Sequence, residues 1–118
     1  MSFKTIKLRR SDILYSKWLR KERNYICERC KTFYENGIGL QCSHFYGRRA
    51  ESVRFDPRNT DVLCAYDHQY FSANPAEYVA WKRKRMGDQE FNRLTLDAHV
   101  TQKRDDGKVL LFLKRQLV

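Results

Sequence analysis

The sequence predicts an α+β fold, with two short strands and a helix at its centre and further helices on either side. Three observations carry that expectation. The stretches "IGLQCSHF" and "TDVL" have strand character, apolar residues recur at helical spacing before and after them, and a cysteine half-site flanks each strand.

The chain of 118 residues is long enough for one domain with a modest core. Hydrophobic residues make up 42% and charged residues 32%, the balance of a folded soluble protein rather than a disordered one. The longest apolar run, "VLLFL", is too short to span a membrane, and "MSFKTIKLRR" lacks the apolar stretch of a signal peptide. A cytoplasmic protein without membrane contact is expected. Lys and Arg number 24 against 14 Asp and Glu, a formal net charge of +10, which favours a polyanionic partner, nucleic acid first among them.

Residues 1–10 read as a basic arm. "SDILYSKWLRKERN" reads as a helix that Ser11 or Asp12 can cap, with Leu14/Trp18 and Tyr15/Leu19 paired one turn apart. "YICERCKTFYENG" has the character of a metal knuckle followed by a turn at Asn36-Gly37, and the first strand comes next. "YGRRAESVRFDPRN" is a polar loop with Pro57 as a brake. The second strand, "TDVL", runs into a helix at Cys64. Asn74 is placed as N-cap of the following helix, with Pro75 first, Glu77 third and Gly87 ending it. Asp88 can cap a shorter helix through Phe91, Leu94 and Ala98. "DDG" at 105–107 is a turn, and "KVLLFLKRQLV" leans to helix. The whole reads as a single domain, with its core in residues 25–72 and C-terminal helices in 74–118.

The cysteines are Cys27, Cys30, Cys42 and Cys64. In a reducing compartment, a C-x-x-C pair with a distant third Cys points to metal rather than disulfides. Structural zinc takes about four thiolate or imidazole ligands in a tetrahedron. Cys27 and Cys30 form one half-site. Cys64 with Asp67 or His68 forms the other, since both positions lie one helical turn on. Cys42, on the strand, reads as a small buried hydrophobe.

Between the half-sites stand His44, at the end of the first strand, and Asn59, just before the second. On these residues the chain resembles the HNH (His-Me finger) nucleases, whose ββα motif closes with Asn, Cys five residues on, a second Cys at eight and His at nine. Asn59, Cys64, Asp67 and His68 keep that register. The closer resemblance is to the phage NinG (Rap) recombination endonucleases, in "CERC", "LQCSHFYGRR", "VRFDPRN", "LCAYDH" and "NPAEYVAWKRKRMG". The resemblance implies a zinc-stapled, HNH-like ββα core and metal-dependent hydrolysis of phosphodiester bonds in branched, Holliday-junction-like DNA. In a phage the setting would be the host cytoplasm. Paired symmetric cuts on branched DNA lead us to expect a homodimer. Two positions depart from the HNH pattern: Ser43 stands where an Asp commonly precedes the first His, and Asp67 replaces the second closing Cys.

In that frame His44 is the expected general base, and Mg2+ or Mn2+ would stabilise the scissile phosphate and leaving group. Asn59 would pin the loop and orient His44. Successive helical residues are rotated by about 100°. Asp67 can therefore close the zinc with Cys27, Cys30 and Cys64 while His68 turns toward His44 to hold the cleavage metal; His68 as fourth zinc ligand is the alternative. Arg48, Arg49 and Arg54 are expected at phosphates, which the guanidinium fork matches. Lys82, Arg83, Lys84 and Arg85 read as an exposed helix face with DNA contact as a second role. The alternative function is a non-catalytic, zinc-dependent nucleic-acid-binding module in recombination.

Overall fold

Apolar residues at i and i+4 make the first helix, α1 (Arg10–Glu22), bury Tyr15 and Leu19 while leaving Lys17 and Lys21 to solvent. The computed structural model describes residues 7–102 and 106–117. The helix starts one residue before the expected cap, and Asp12 closes it from its third position, accepting the backbone N–H of Arg9 at 2.8 Å. Ser11 does not cap; its hydroxyl donates to Asp106 at 2.7 Å. Residues 1–6 of the expected arm lie outside the described residues. Its end is no free arm, because the Arg9 side chain is buried against Glu51 and Asp106.

A turn at Asn36 and Gly37, both at positive φ, precedes the first strand. A Cβ on Gly37 would stand 3.0 Å from the Tyr25 ring, so the position needs glycine for space as well as conformation. Strands β1 (Leu40–His44) and β2 (Thr60–Cys64) pair antiparallel, His44 opposite Thr60 and Leu40 opposite Cys64. The period of two puts Cys42 and His44 on one face and Ser43 with Asp61 on the other. Against the first face lies α1, with the Tyr15 hydroxyl 2.8 Å from Thr60 Oγ1. Every residue of β2 is buried, as expected of a strand covered on both sides.

Helix α2 (Ala65–Ala73) follows β2 without a loop, and Cys64 is its N-cap. Asn74 sits at the junction with α3 (Pro75–Met86), but its amide donates back to Tyr70 O at 2.9 Å. Asn74 is thus the N-cap of α3 by position, its carbonyl accepting from the Glu77 N–H at 3.0 Å, while its side chain closes α2; Pro75 takes the first helical position. Gly87, at φ +84°, ends that helix. Gly87, not Asp88, is then the N-cap of α4 (Asp88–Ala98), with Asp88 inside the first turn, where a negative charge suits the helix dipole. Residue 105 of the expected "DDG" turn lies outside the described residues; the C-terminal stretch is helical, α5 (Gly107–Gln116), and it packs on α1.

The core gathers Tyr15, Leu19, Val62, Leu63, Phe71 and Leu113, with Trp18 and Trp81 packed partly buried against it. Burying each Leu contributes about 1.5–3 kcal/mol. Among the described residues the architecture is α+β, with five α-helices around a two-stranded sheet, and no described helix is long and apolar enough to cross a membrane.

Candidate metal centre and the basic pocket beside it

The first half-site is a tight turn between Ile26 and Phe33, which form an isolated antiparallel bridge. The N–H of Cys27 donates to Thr32 O at 2.9 Å, and that of Lys31 to Cys27 O at 2.8 Å. Lys31 takes φ +65° to complete the reversal. The second half-site is the β2–α2 junction, where Cys64 ends the strand and Asp67 lies one turn into the helix. One ligand atom from each of Cys27, Cys30, Cys64 and Asp67 falls within 4.8 Å of all the others. Zinc–sulfur bonds of about 2.3 Å put tetrahedral ligands about 3.8 Å apart, so small adjustments would close this cluster on an ion. Three thiols and a carboxylate, mostly buried, are a donor set that suits structural zinc. Among the described residues it is the one group of three or more Cys, His, Asp or Glu so arranged.

Asp67 is the pivot. Its Oδ2 accepts from the Sγ of Cys27 at 3.2 Å and of Cys64 at 3.3 Å, while Oδ1 accepts from Arg29 Nη1 at 2.7 Å. The Arg29 guanidinium lies 4.3 Å over the Tyr70 ring and 4.9 Å over Phe71. Arg29 thus aims one carboxylate oxygen at the sulfurs by occupying the other, the outer support that metal ligands commonly have. Sequence reasoning missed it; the one available signal was its place inside "CERC". Burial opposes ionisation of Asp67, but hydrogen bonds from Cys27, Arg29 and Cys64 outweigh it and hold its pKa below the usual carboxylate value. Burial pushes the Cys27 thiol up to about 12, whereas a hydrogen bond with Thr32 brings Cys30 down. Metal binding would therefore displace protons from the thiols, and the raised pKa of Cys27 keeps its proton in place until then.

His68, the very next residue, is not part of this cluster. It lines a pocket of about 360 Å³ with Ser16 and Arg20 of α1, Leu40, Gln41 and Cys42 of β1, and Arg48. None of the lining residues is a carboxylate. Burial first, then the charge of Arg48, lowers the His68 pKa. Cys42 stays outside the metal cluster, with its thiol pushed up to about 12 by burial.

His44 closes β1. Its Nε2 lies 3.0 Å from the carbonyl oxygen of Arg54. A carbonyl can only accept, so Nε2 carries the proton and Nδ1 the lone pair. Nδ1 is buried and has no hydrogen-bond partner. Burial, reinforced by the Arg48 charge, lowers the His44 pKa to about 4. The loop that supplies Arg54 is held by Asn59, which is 0% exposed. The Asn59 amide donates to Tyr46 O at 2.9 Å and Val53 O at 3.1 Å, and its Oδ1 accepts from the Tyr46 N–H at 2.8 Å. Asn59 thus pins both ends of the loop, and reaches His44 through the backbone next to Arg54.

The basic residues sort by their partners. Arg54 is 3% exposed and forks onto Asp12, with Nε 2.9 Å from Oδ1, so it braces the loop against α1 and cannot meet phosphate. Lys82 is likewise 3% exposed, its Nζ 3.0 Å from both Asp61 oxygens, beneath α3 rather than on its outer face. Both expectations of DNA contact are corrected, because each cation is neutralised by an acid far along the chain. Arg85 is half committed, 2.8 Å from Glu28 Oε1 and 4.7 Å over the Trp81 ring. Arg83, Lys84 and Arg49 are exposed. Arg48 is partly exposed, its Nε buried without a hydrogen bond and 3.5 Å from Asp12 Oδ1. Ser43 donates to the Tyr78 hydroxyl at 3.1 Å, which in turn donates to Asp61 at 2.6 Å, on the sheet face away from His44. No protein-family model, curated protein or solved structure matches the chain.

Proposed function

We propose that the protein is a DNA endonuclease built on a zinc-stapled HNH-like ββα core, formed by β1, β2 and α2, and that it hydrolyses phosphodiester bonds in branched recombination intermediates. The observation that carries this reading is the state of His44. A backbone carbonyl holds Nε2, which leaves the lone pair of Nδ1 unpartnered in a buried position. Leaving a buried polar atom unsatisfied costs about 1–3 kcal/mol, and such atoms call for an explanation in chemistry or bound water. Burial keeps the imidazole neutral at physiological pH, so the Nδ1 lone pair is free. A pKa of about 4 is below the value that suits a base at neutral pH, and the negative charge of a bound phosphate would raise it. Substrate binding would uncover Nδ1, and general-base catalysis of this kind contributes roughly 10²–10⁴-fold.

Zinc bound by Cys27, Cys30, Cys64 and Asp67 would tie the knuckle to the β2–α2 junction and so set the position of His68. Mg2+ or Mn2+ would neutralise charge on the scissile phosphate, with His68 as its protein ligand. No carboxylate lines the His68 pocket, so the ion would come largely liganded by substrate phosphate and water, a usual arrangement for Mg2+. That same lack of a carboxylate favours a second reading, a non-catalytic zinc-dependent module that binds nucleic acid. Cleavage of a four-way junction against linear duplex, with and without Mg2+, separates the two. The nuclease reading expects junction cleavage by the wild type with Mg2+ and none by His44→Ala, with DNA affinity and zinc content preserved. Binding without cleavage by the wild type supports the second reading. Two cuts related by symmetry would point to a homodimer.

A further inference from the structure

Four partly or fully buried arginines, Arg9, Arg23, Arg54 and Arg58, each lie against one or two carboxylates. Arg20 does not. Its Nε donates to Ser16 O at 3.1 Å and its Nη1 to Gly37 O at 3.4 Å, so two backbone carbonyls aim the guanidinium without neutralising it. Arg48, across the same pocket, shares the one Asp12 carboxylate with Arg54: its Nε stands 3.5 Å from Oδ1 and makes no hydrogen bond, so two guanidinium groups divide a single negative charge. Both line the cavity with His68, Gln41 and Ser16. Two guanidinium groups facing a concave wall of neutral donors repel a free divalent cation and attract a tetrahedral anion, which their forks can hold by paired hydrogen bonds.

We propose that this pocket between α1 and β1 grips one backbone phosphate of DNA through Arg20 and Arg48, and does so before any divalent ion is present. It deepens the nuclease reading, on which it rests for the phosphate being part of DNA. Phosphate would enter without a divalent ion, and its oxygens would supply the negative charge that the lining lacks and that any ion held by His68 would need.

The test uses the zinc-loaded full chain in Mg2+-free buffer with a fluorescent four-way junction. Arg20→Gln should weaken binding about 10- to 100-fold, the size expected of a charge-assisted hydrogen-bonded contact. Arg20→Gln and Arg48→Gln together should lower the log–log salt slope by about one rather than two, because both hold one phosphate. Zinc content and far-ultraviolet circular dichroism check folding, and Arg20→Lys, which keeps the charge but not the fork, should fall between wild type and Arg20→Gln. In electron paramagnetic resonance, Mn2+ should stay free with protein alone and bind once DNA is added. Unchanged affinity in folded Arg20→Gln, or stoichiometric Mn2+ binding without DNA, overturns the proposal. The two readings fail separately. A wild type that cuts while Arg20→Gln changes neither affinity nor KM keeps the nuclease and loses the phosphate site. A wild type that binds through Arg20 and never cuts does the reverse.

Discussion

Asp67 and His68 are neighbours in the chain and belong to opposite worlds. Asp67 faces three sulfurs and is steadied by Arg29; His68 faces two arginines and no acid. A helix turns each residue about 100° from the last, so one step along α2 separates a cluster of thiols and a carboxylate that could hold a cation from a pocket walled by two arginines. Residue type alone does not assign a role here. An imidazole is a good zinc ligand, yet the carboxylate is the one brought to the thiols, because the helix face and not ligand preference decides which side chain arrives.

The largest effect that could break this contrast is metal loss. Cys64→Ala, or a strong chelator, should abolish cooperative thermal unfolding, since structural zinc sites contribute on the order of 10–16 kcal/mol in small domains. His68→Ala should retain one zinc per chain and melt within a few degrees of wild type, and Asp67→Cys should hold zinc more tightly. Zinc counting and melts by circular dichroism check all three. If His68→Ala loses zinc and unfolds while Asp67→Ala does not, the contrast is reversed.

Much of the metal centre was legible in the sequence, and little of the basic pocket was. Cys27, Cys30 and Cys64 announce themselves because local spacing sets each half-site, and a knuckle and a helix start are local structures. Spacing left Asp67 and His68 both open as the fourth member, and the helix face brings Asp67 to the thiols. Pro75 and Gly87 mark α3 for the same reason. Arg20 was invisible because nothing near it in sequence says that it lacks a carboxylate. Conversely, the basic runs gave no hint that Arg54 answers to Asp12 and Lys82 to Asp61, partners 42 and 21 residues away. Periodicity reports which face is buried, whereas pairing of charges depends on tertiary contacts. The side chain of Asn74 is a smaller case: its type suits either helix end, and only the geometry of the α2–α3 junction gives it to Tyr70.

The paired cations supply the next effect. Asp12→Asn keeps shape but leaves buried Arg54 with only Glu51, 3.5 Å away, as counter-charge, and breaking one side of a buried pair costs up to about 3–5 kcal/mol. Adding Arg54→Gln should recover part of that loss, because the second change removes the stranded charge. Urea denaturation of the two single variants and the double variant measures it. A strictly additive result would mean that the pair is energetically idle.

A smaller effect, set by pH, tests His44. Its pKa is near 6.5 in an unfolded chain and about 4 in the fold. Between those values the unfolded state binds a proton that the folded state refuses. The stability contribution is therefore full above pH 6.5 and is lost as pH falls toward 4. At about 1.4 kcal/mol per pKa unit the loss approaches roughly 3 kcal/mol. Zinc release also weakens the fold in acid, so the measurement is the difference between wild type and zinc-loaded His44→Gln across pH 7 to 5. That difference should close by more than 1 kcal/mol; a constant difference would remove the burial argument. For cleavage, a neutral His44 predicts no acid limb near pH 6.5 in the rate profile.

The smallest effect lies on α3, where three basic residues within one turn should behave in three ways. Lys82→Gln leaves Asp61 buried without its cation and should destabilise the fold by a few kcal/mol while moving the DNA salt slope little. Arg85→Gln loses contacts to Glu28 and Trp81, so its effect should fall on local stability, roughly 0.5–1 kcal/mol for a half-exposed pair. Lys84 is exposed and carries no such contact. Its replacement by Gln should change stability by less than about 0.5 kcal/mol, and lower the salt slope by up to about one if α3 lies along a phosphate backbone. Salt titrations of DNA binding, run beside urea melts of the same variants, resolve the three. Equal slopes for Lys84→Gln and wild type would take α3 off the DNA face and leave the Arg20–Arg48 pocket and its surrounding loop as the interface.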